Sequence, residues 1–112
     1  MTIREIANRL NAKILTGEEL LDTEVDGACG SDLMSDVLAF GDQHSMLLTG
    51  LTNPQVIRTA MMLDMPCVVF VRGKPMPEET LALARASGLC TLATDIRLFE
   101  ACGLLYAGGV RG

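Results

Sequence analysis

The chain has 112 residues, 49% of them apolar but only 4% aromatic, and a formal net charge of −5. This length suits one domain, 1–112, whose modest core is built from aliphatic residues, Ala and seven Met. An acidic balance with scattered cations excludes a nucleic-acid-coating role, and no apolar run approaches the ~20 residues of a membrane span, so the cytoplasm is the expected compartment.

The first helix is expected from "TIRE" onward, because Thr2 and Glu5 stand at capping-box spacing and Ile3, Ile6, Ala7 and Leu10 share one face. "AKILTG" reads as a first strand, followed by a turn or bend at "EELLD". "EVDGACGSD" holds a second short strand around Val25 and Ala28. Ser31 or Asp32 is then placed to cap the helix "DLMSDVLAF", with Leu33, Val37, Leu38 and Phe40 as its apolar side.

From there the pattern is regular. "SMLLTG" is a strand and "NPQVIRTAMMLDM" a helix, with Val56, Ile57, Ala60, Met61 and Met62 predicted inward. "PCVVFVRG" is a strand, "MPEETLALARASG" a helix ended by Gly88, and "CTLATD" a strand. "IRLFEACGLLYAGG" is a last helix, with a break predicted near Gly103 and an end at the glycine pair. The uninterrupted apolar run "CVVFV" marks a central strand covered on both faces. Alternating strands and helices predict an α/β fold: three α/β/α layers around a mainly parallel sheet, with any antiparallel edge supplied by the early, glycine-richer part.

In such a sheet, ligands sit beyond the carboxyl ends of the strands. Four junctions qualify: Gly27 to Asp32, Thr49 to Asn53, Arg72 to Met76, and Thr94 to Asp95. They offer hydroxyls, backbone amides, an Arg and a Lys, a set suited to a small anion or a nucleotide phosphate. Asn53 also has the simpler role of helix N-cap, and Asp95 that of capping the last helix. Neither a complete phosphate loop nor a dinucleotide fingerprint is present. His44 has no titratable partner tied to it by spacing and reads as a solvent-facing loop residue. Cys29, Cys67, Cys90 and Cys102 are far apart and predict reduced, buried thiols. No metal or cofactor is expected.

The segments "GACGSDLMSDVLAF" and "LLTGLTNPQVIRTAMMLDMPCVVFVRGKPMPEETLALARASGLCTLAT" resemble a DRTGG domain, and more distantly the N-terminal domain of HPr kinase/phosphorylase, over roughly Glu24 to Tyr106. Order and spacing carry the likeness: strand, Thr-Gly turn, helix, apolar strand, Gly/Pro loop, helix, strand. The family pattern commonly follows the Thr-Gly turn with Asp-Arg, where this chain has Leu51 and Thr52. A fixed acceptor and a five-donor fork are thereby exchanged for an apolar side chain and a hydroxyl, leaving Asn53 and the helix N-terminus at that turn.

The resemblance implies a non-catalytic regulatory or interaction module that associates in pairs, of a kind found beside CBS domains and also free-standing; this chain is expected to be a free-standing homodimer. It is expected to sense a small anionic metabolite or nucleotide through Thr49, Gly50, Asn53, Arg72 and Lys74. Two other readings remain open. One is an accessory subunit of a phosphoryl-transfer enzyme, by analogy with HPr kinase; the other is a protein-binding scaffold using exposed Met and Leu51.

Overall fold

The computed structural model describes all residues, 1–112. Helix α1 spans Ile3–Arg9, and its capping box is in place: Glu5 N–H donates to the Thr2 hydroxyl at 3.1 Å, and Thr2 N–H to the Glu5 carboxylate at 2.9 Å. Strand β1 (Lys13–Thr16) leads through a 3-10 turn at Glu18–Leu20 to β2 (Gly27–Gly30) and α2 (Met34–Phe40). The regular part follows as β3 (Ser45–Thr49), α3 (Pro54–Met62), β4 (Cys67–Phe70), α4 (Glu78–Ser87), β5 (Cys90–Ala93) and α5 (Leu98–Ala107).

The sheet order is β1-β5-β4-β3-β2; β1 runs antiparallel to β5 and every other pair is parallel. The expected three layers are therefore present, β4 is the central strand, and the antiparallel edge comes from the early part of the chain. Alternation along each strand divides the core. Met46, Leu48, Cys67, Val69, Cys90 and Leu92 face α1 and α5, while Leu47, Val68 and Phe70 face α2, α3 and α4. Burying each such Leu or Val contributes about 1.5–3 kcal/mol, which explains why these few strands hold five helices in place. The outer edge of β2 is partly covered by the chain's own tail, Ala28 N–H donating to the Arg111 carbonyl at 2.9 Å.

Several expectations are corrected. Met61 and Met62 do not face inward. They are 37% and 70% exposed, because one turn of α3 already meets the sheet through Val56, Ile57 and Ala60. The apolar side expected for α2 reduces to Val37, with Met34 partly buried; Leu33, Leu38 and Phe40 are exposed, since α2 turns only its Val37 side to the core that α3 and the sheet form. Helix α5 is unbroken at Gly103, where no neighbouring side chain or loop intrudes to bend it, and it closes at the glycine pair as expected. All four cysteines are free; Cys67 and Cys90 are buried, whereas Cys29 and Cys102 are only half-buried. Leu51 packs against the α3/α4 side of the core instead of standing free as a contact residue.

Candidate functional site

The carboxyl ends of β2, β3 and β4 lie side by side, and the residues just beyond them form one cluster. Its centre is Asp32. Because Gly30 pairs with Leu48 in a parallel register, the chain two residues on brings Asp32 level with Gly50. Its Oδ1 accepts the Thr49 hydroxyl at 2.9 Å and the Gly50 N–H at 2.7 Å, and its Oδ2 accepts Arg72 Nη2 at 3.3 Å. Lys74 reaches the same turn from the β4–α4 loop, donating to the Gly50 carbonyl at 2.7 Å.

Each member is fixed locally. Thr49 is fully buried, and its hydroxyl also accepts the Leu51 N–H at 3.2 Å, which closes the Thr-Gly turn. A Cβ at residue 50 would fall inside the Arg72 guanidinium, so the glycine lets that side chain lie across the turn. Arg72 adopts a left-handed backbone (φ 72°), its N–H donating to Ile96 O at 2.9 Å, while Gly73 N–H donates to Thr94 O at 3.0 Å. These bonds lash the end of β4 to the chain beyond β5.

The electrostatics follow from this packing. Partial burial pulls the Asp32 carboxyl upward, but the Gly50 N–H, the Thr49 hydroxyl and the charges of Arg72 and Lys74 together hold it below its ordinary value of 3.8. The pair stays open to solvent, with the Arg72 and Asp32 side chains 44% and 42% exposed. By itself such a pair adds only about 0–1 kcal/mol, so its geometry depends on the hydrogen bonds beneath it.

Four of the five residues singled out in the sequence, Thr49, Gly50, Arg72 and Lys74, converge here. Asn53 stands apart at the start of α3, where its side chain accepts the Gln55 N–H at 3.0 Å as an N-cap. Asp32, which the sequence places both at the end of the Gly27 to Asp32 junction and as a candidate cap of α2, takes the first role only. It does not cap α2: that helix starts after Leu33 with no side-chain cap, and Ser31 Oγ takes the Leu33 N–H instead. No local signal marks this role, because the parallel pairing of β2 with β3 that sets Asp32 beside the Thr-Gly turn is a long-range feature of the fold. Asp95 likewise does not cap α5, whose N-cap is Arg97 without a side-chain bond. Leu51 and Thr52 have structural uses, the Thr52 carbonyl accepting the Thr80 hydroxyl at 2.7 Å. His44 is exposed just ahead of β3, at the opposite end of the sheet.

No family model matches the sequence, and no curated protein matches it. Among solved structures, the fold is similar to the CBS and DRTGG domains of the regulatory region of Clostridium perfringens pyrophosphatase, a structure complexed with the activator diadenosine tetraphosphate. The TM-score is 0.73 at 14% sequence identity, over 93% of this chain. The chain spans less than half of that protein, 45% of its length. The likeness supports a DRTGG-like fold.

Proposed function

We propose that the chain is a non-catalytic regulatory module of the DRTGG type, acting as a homodimer and sensing a small anionic metabolite or nucleotide at the rim that Thr49, Gly50, Arg72 and Lys74 form around Asp32, with Asn53 apart from it at the start of α3. The observation that carries this reading is the Asp32–Arg72 pair. One donor of the five on the Arg72 guanidinium engages Asp32, through a single contact of 3.3 Å in a half-exposed setting. Asp32 thus serves as an internal counter-anion that a phosphate or carboxylate can replace. Asp32 keeps its Oδ1 bonds to the Thr49 hydroxyl and the Gly50 N–H when its Oδ2 yields Arg72 to a ligand, so the rim stays in place while the guanidinium turns to the anion. The regulatory role and nucleotide activator of the similar pyrophosphatase region favour the same reading.

Pairing of two copies is favoured by α5, where Phe99 and Tyr106 are 91% and 60% exposed, two helical turns apart, with Gly103 between them. The same apolar face supports the second reading, a scaffold that only binds another protein.

Thermal shift against a panel of nucleotides and phosphorylated metabolites separates the two. A ligand at 100 times its dissociation constant adds ~2.7 kcal/mol, which raises the melting temperature by several degrees and is lost in Arg72→Ala. A flat panel for both proteins favours the scaffold. Light scattering on the eluting protein gives the mass of a pair; a monomer at high concentration overturns the homodimer.

A further inference from the structure

Beside the rim, between the ends of β4 and β5 and the turn that enters β1, lies a cleft of ≈ 230 Å³. Its floor is Phe70, and its walls are Asn11, Lys13, Gly73, Lys74 and Asp95. The geometry points to this cleft as a binding site for a compact phosphate monoester bearing free hydroxyls. The inference rests on the anion-sensing reading above, and names where the ligand sits and what kind it is.

Three observations carry it. First, the cleft is lined by two lysines against one carboxylate; Lys74 Nζ spends one of its three donors on the Gly50 carbonyl at 2.7 Å, and the chain's ion pairs use none of Lys13, Lys74 and Asp95. Two like charges, Lys13 from the sheet edge and Lys74 from the β4–α4 loop, line one small space that carries only a single opposing charge, an arrangement that favours a multiply charged anion. Secondly, the missing side chain at Gly73 makes room for the Asp95 carboxylate in the cleft wall: a Cβ at residue 73, itself left-handed at φ 61°, would lie 2.6 Å from Asp95 Oδ1. A carboxylate beside an anion site is a cost unless it accepts a donor. A hydroxyl on the same ligand supplies that donor, and the Asn11 carboxamide can serve either partner. Thirdly, the volume falls below the ~300–1,000 Å³ of pockets that enclose drug-sized ligands, which selects a short phosphorylated polyol over a whole nucleotide.

The test is amide chemical-shift mapping by NMR on the intact chain, titrated separately with glycerol 3-phosphate, inorganic phosphate and AMP. Shifts from glycerol 3-phosphate are expected to centre on Asn11, Lys13, Gly73, Lys74 and Asp95, with AMP weaker. Lys13→Gln is expected to weaken glycerol 3-phosphate at least tenfold, while Arg58→Gln, the same charge change at an exposed helical position, leaves it unaltered. Asp95→Asn should tighten inorganic phosphate and weaken glycerol 3-phosphate, so that the ratio of the two affinities collapses. Lys13 and Asp95 are both exposed, so each variant is expected to keep the wild-type spectrum elsewhere. An unchanged ratio in Asp95→Asn, or equal losses in Lys13→Gln and Arg58→Gln, overturns the cleft. So do shifts centred on Asp32, Gly50 and Arg72 alone, and in that case anion sensing at the rim still stands. Absence of any shift with all three probes removes both.

Discussion

Removing the Asp32 carboxylate in two ways separates the hydrogen bonds of the rim from its charge. In Asp32→Asn, Oδ1 still accepts the Thr49 hydroxyl and the Gly50 N–H, and only the 3.3 Å contact with Arg72 is lost. That contact is exposed, so the expected cost is about 0.5–1 kcal/mol. Asp32→Ala strands both donors, and Thr49 and Gly50 are buried. Each unsatisfied donor costs about 1–3 kcal/mol, reduced here because a side chain that was 42% exposed leaves an opening for water; about 2–3 kcal/mol in total is expected. For a domain slightly above 100 residues, this is a fall in melting temperature of roughly 10 °C for Ala and under about 4 °C for Asn. Urea melts followed by far-UV circular dichroism at neutral pH give the two free-energy losses, with the slope m unchanged, and thermal melts give the two temperature shifts. Equal losses for Asn and Ala would refute the reasoning, since charge and not hydrogen bonding would then hold the rim. A loss below about 0.5 kcal/mol for Ala would refute it too, by placing Asp32 among ordinary surface positions.

The same carboxyl predicts a pH dependence. Its folded pKa is depressed below the ordinary 3.8, so its contribution is complete above that value and fades as pH falls through the lower folded one; wild type and Asp32→Asn should converge in acid, and a constant gap would count against the assignment. Thr59 is fully buried with an unpartnered hydroxyl, so Thr59→Val, matched in shape, should be neutral or stabilising by up to about 1 kcal/mol in urea melts. Gly17 and Gly88 are both left-handed, but a Cβ at 17 meets the Cys90 backbone at 2.6 Å and one at 88 meets nothing. Gly88→Ala should therefore cost only the strain of about 1–2 kcal/mol, and Gly17→Ala distinctly more, read as the difference between their denaturation midpoints. Met62→Gln at a 70% exposed position should leave stability within about 0.5 kcal/mol.

Much of the architecture was legible because it is written in short-range chemistry. Thr2 and Glu5 announce a helix start through reciprocal bonds that span a single turn, and the run "CVVFV" identifies a doubly covered strand through burial alone. The failures share one cause. Met61 and Met62 satisfy the helical period as well as Val56 does, and only the angle at which α3 meets the sheet decides which of them is covered. Leu33, Leu38 and Phe40 fit an amphipathic pattern, yet the way α2 lies on the sheet turns only Val37 fully inward, while α1, equally short, buries three residues.

The rim illustrates the division most sharply. Sequence alone determined that Thr49, Gly50, Arg72 and Lys74 follow strand ends, since apolar runs and turn residues are local signals. Which strands are neighbours is a matter of long-range pairing, and nothing near Asp32 in the chain reports it. The order β2-β3-β4 brings Asp32 across the Thr-Gly turn to Arg72, 40 residues away in sequence. The tertiary structure thus turned an apparent helix cap into the hub of the site. An aspartate can cap a helix or join an ion pair with the same two oxygens, and the choice falls to whichever donors the folded sheet places within reach.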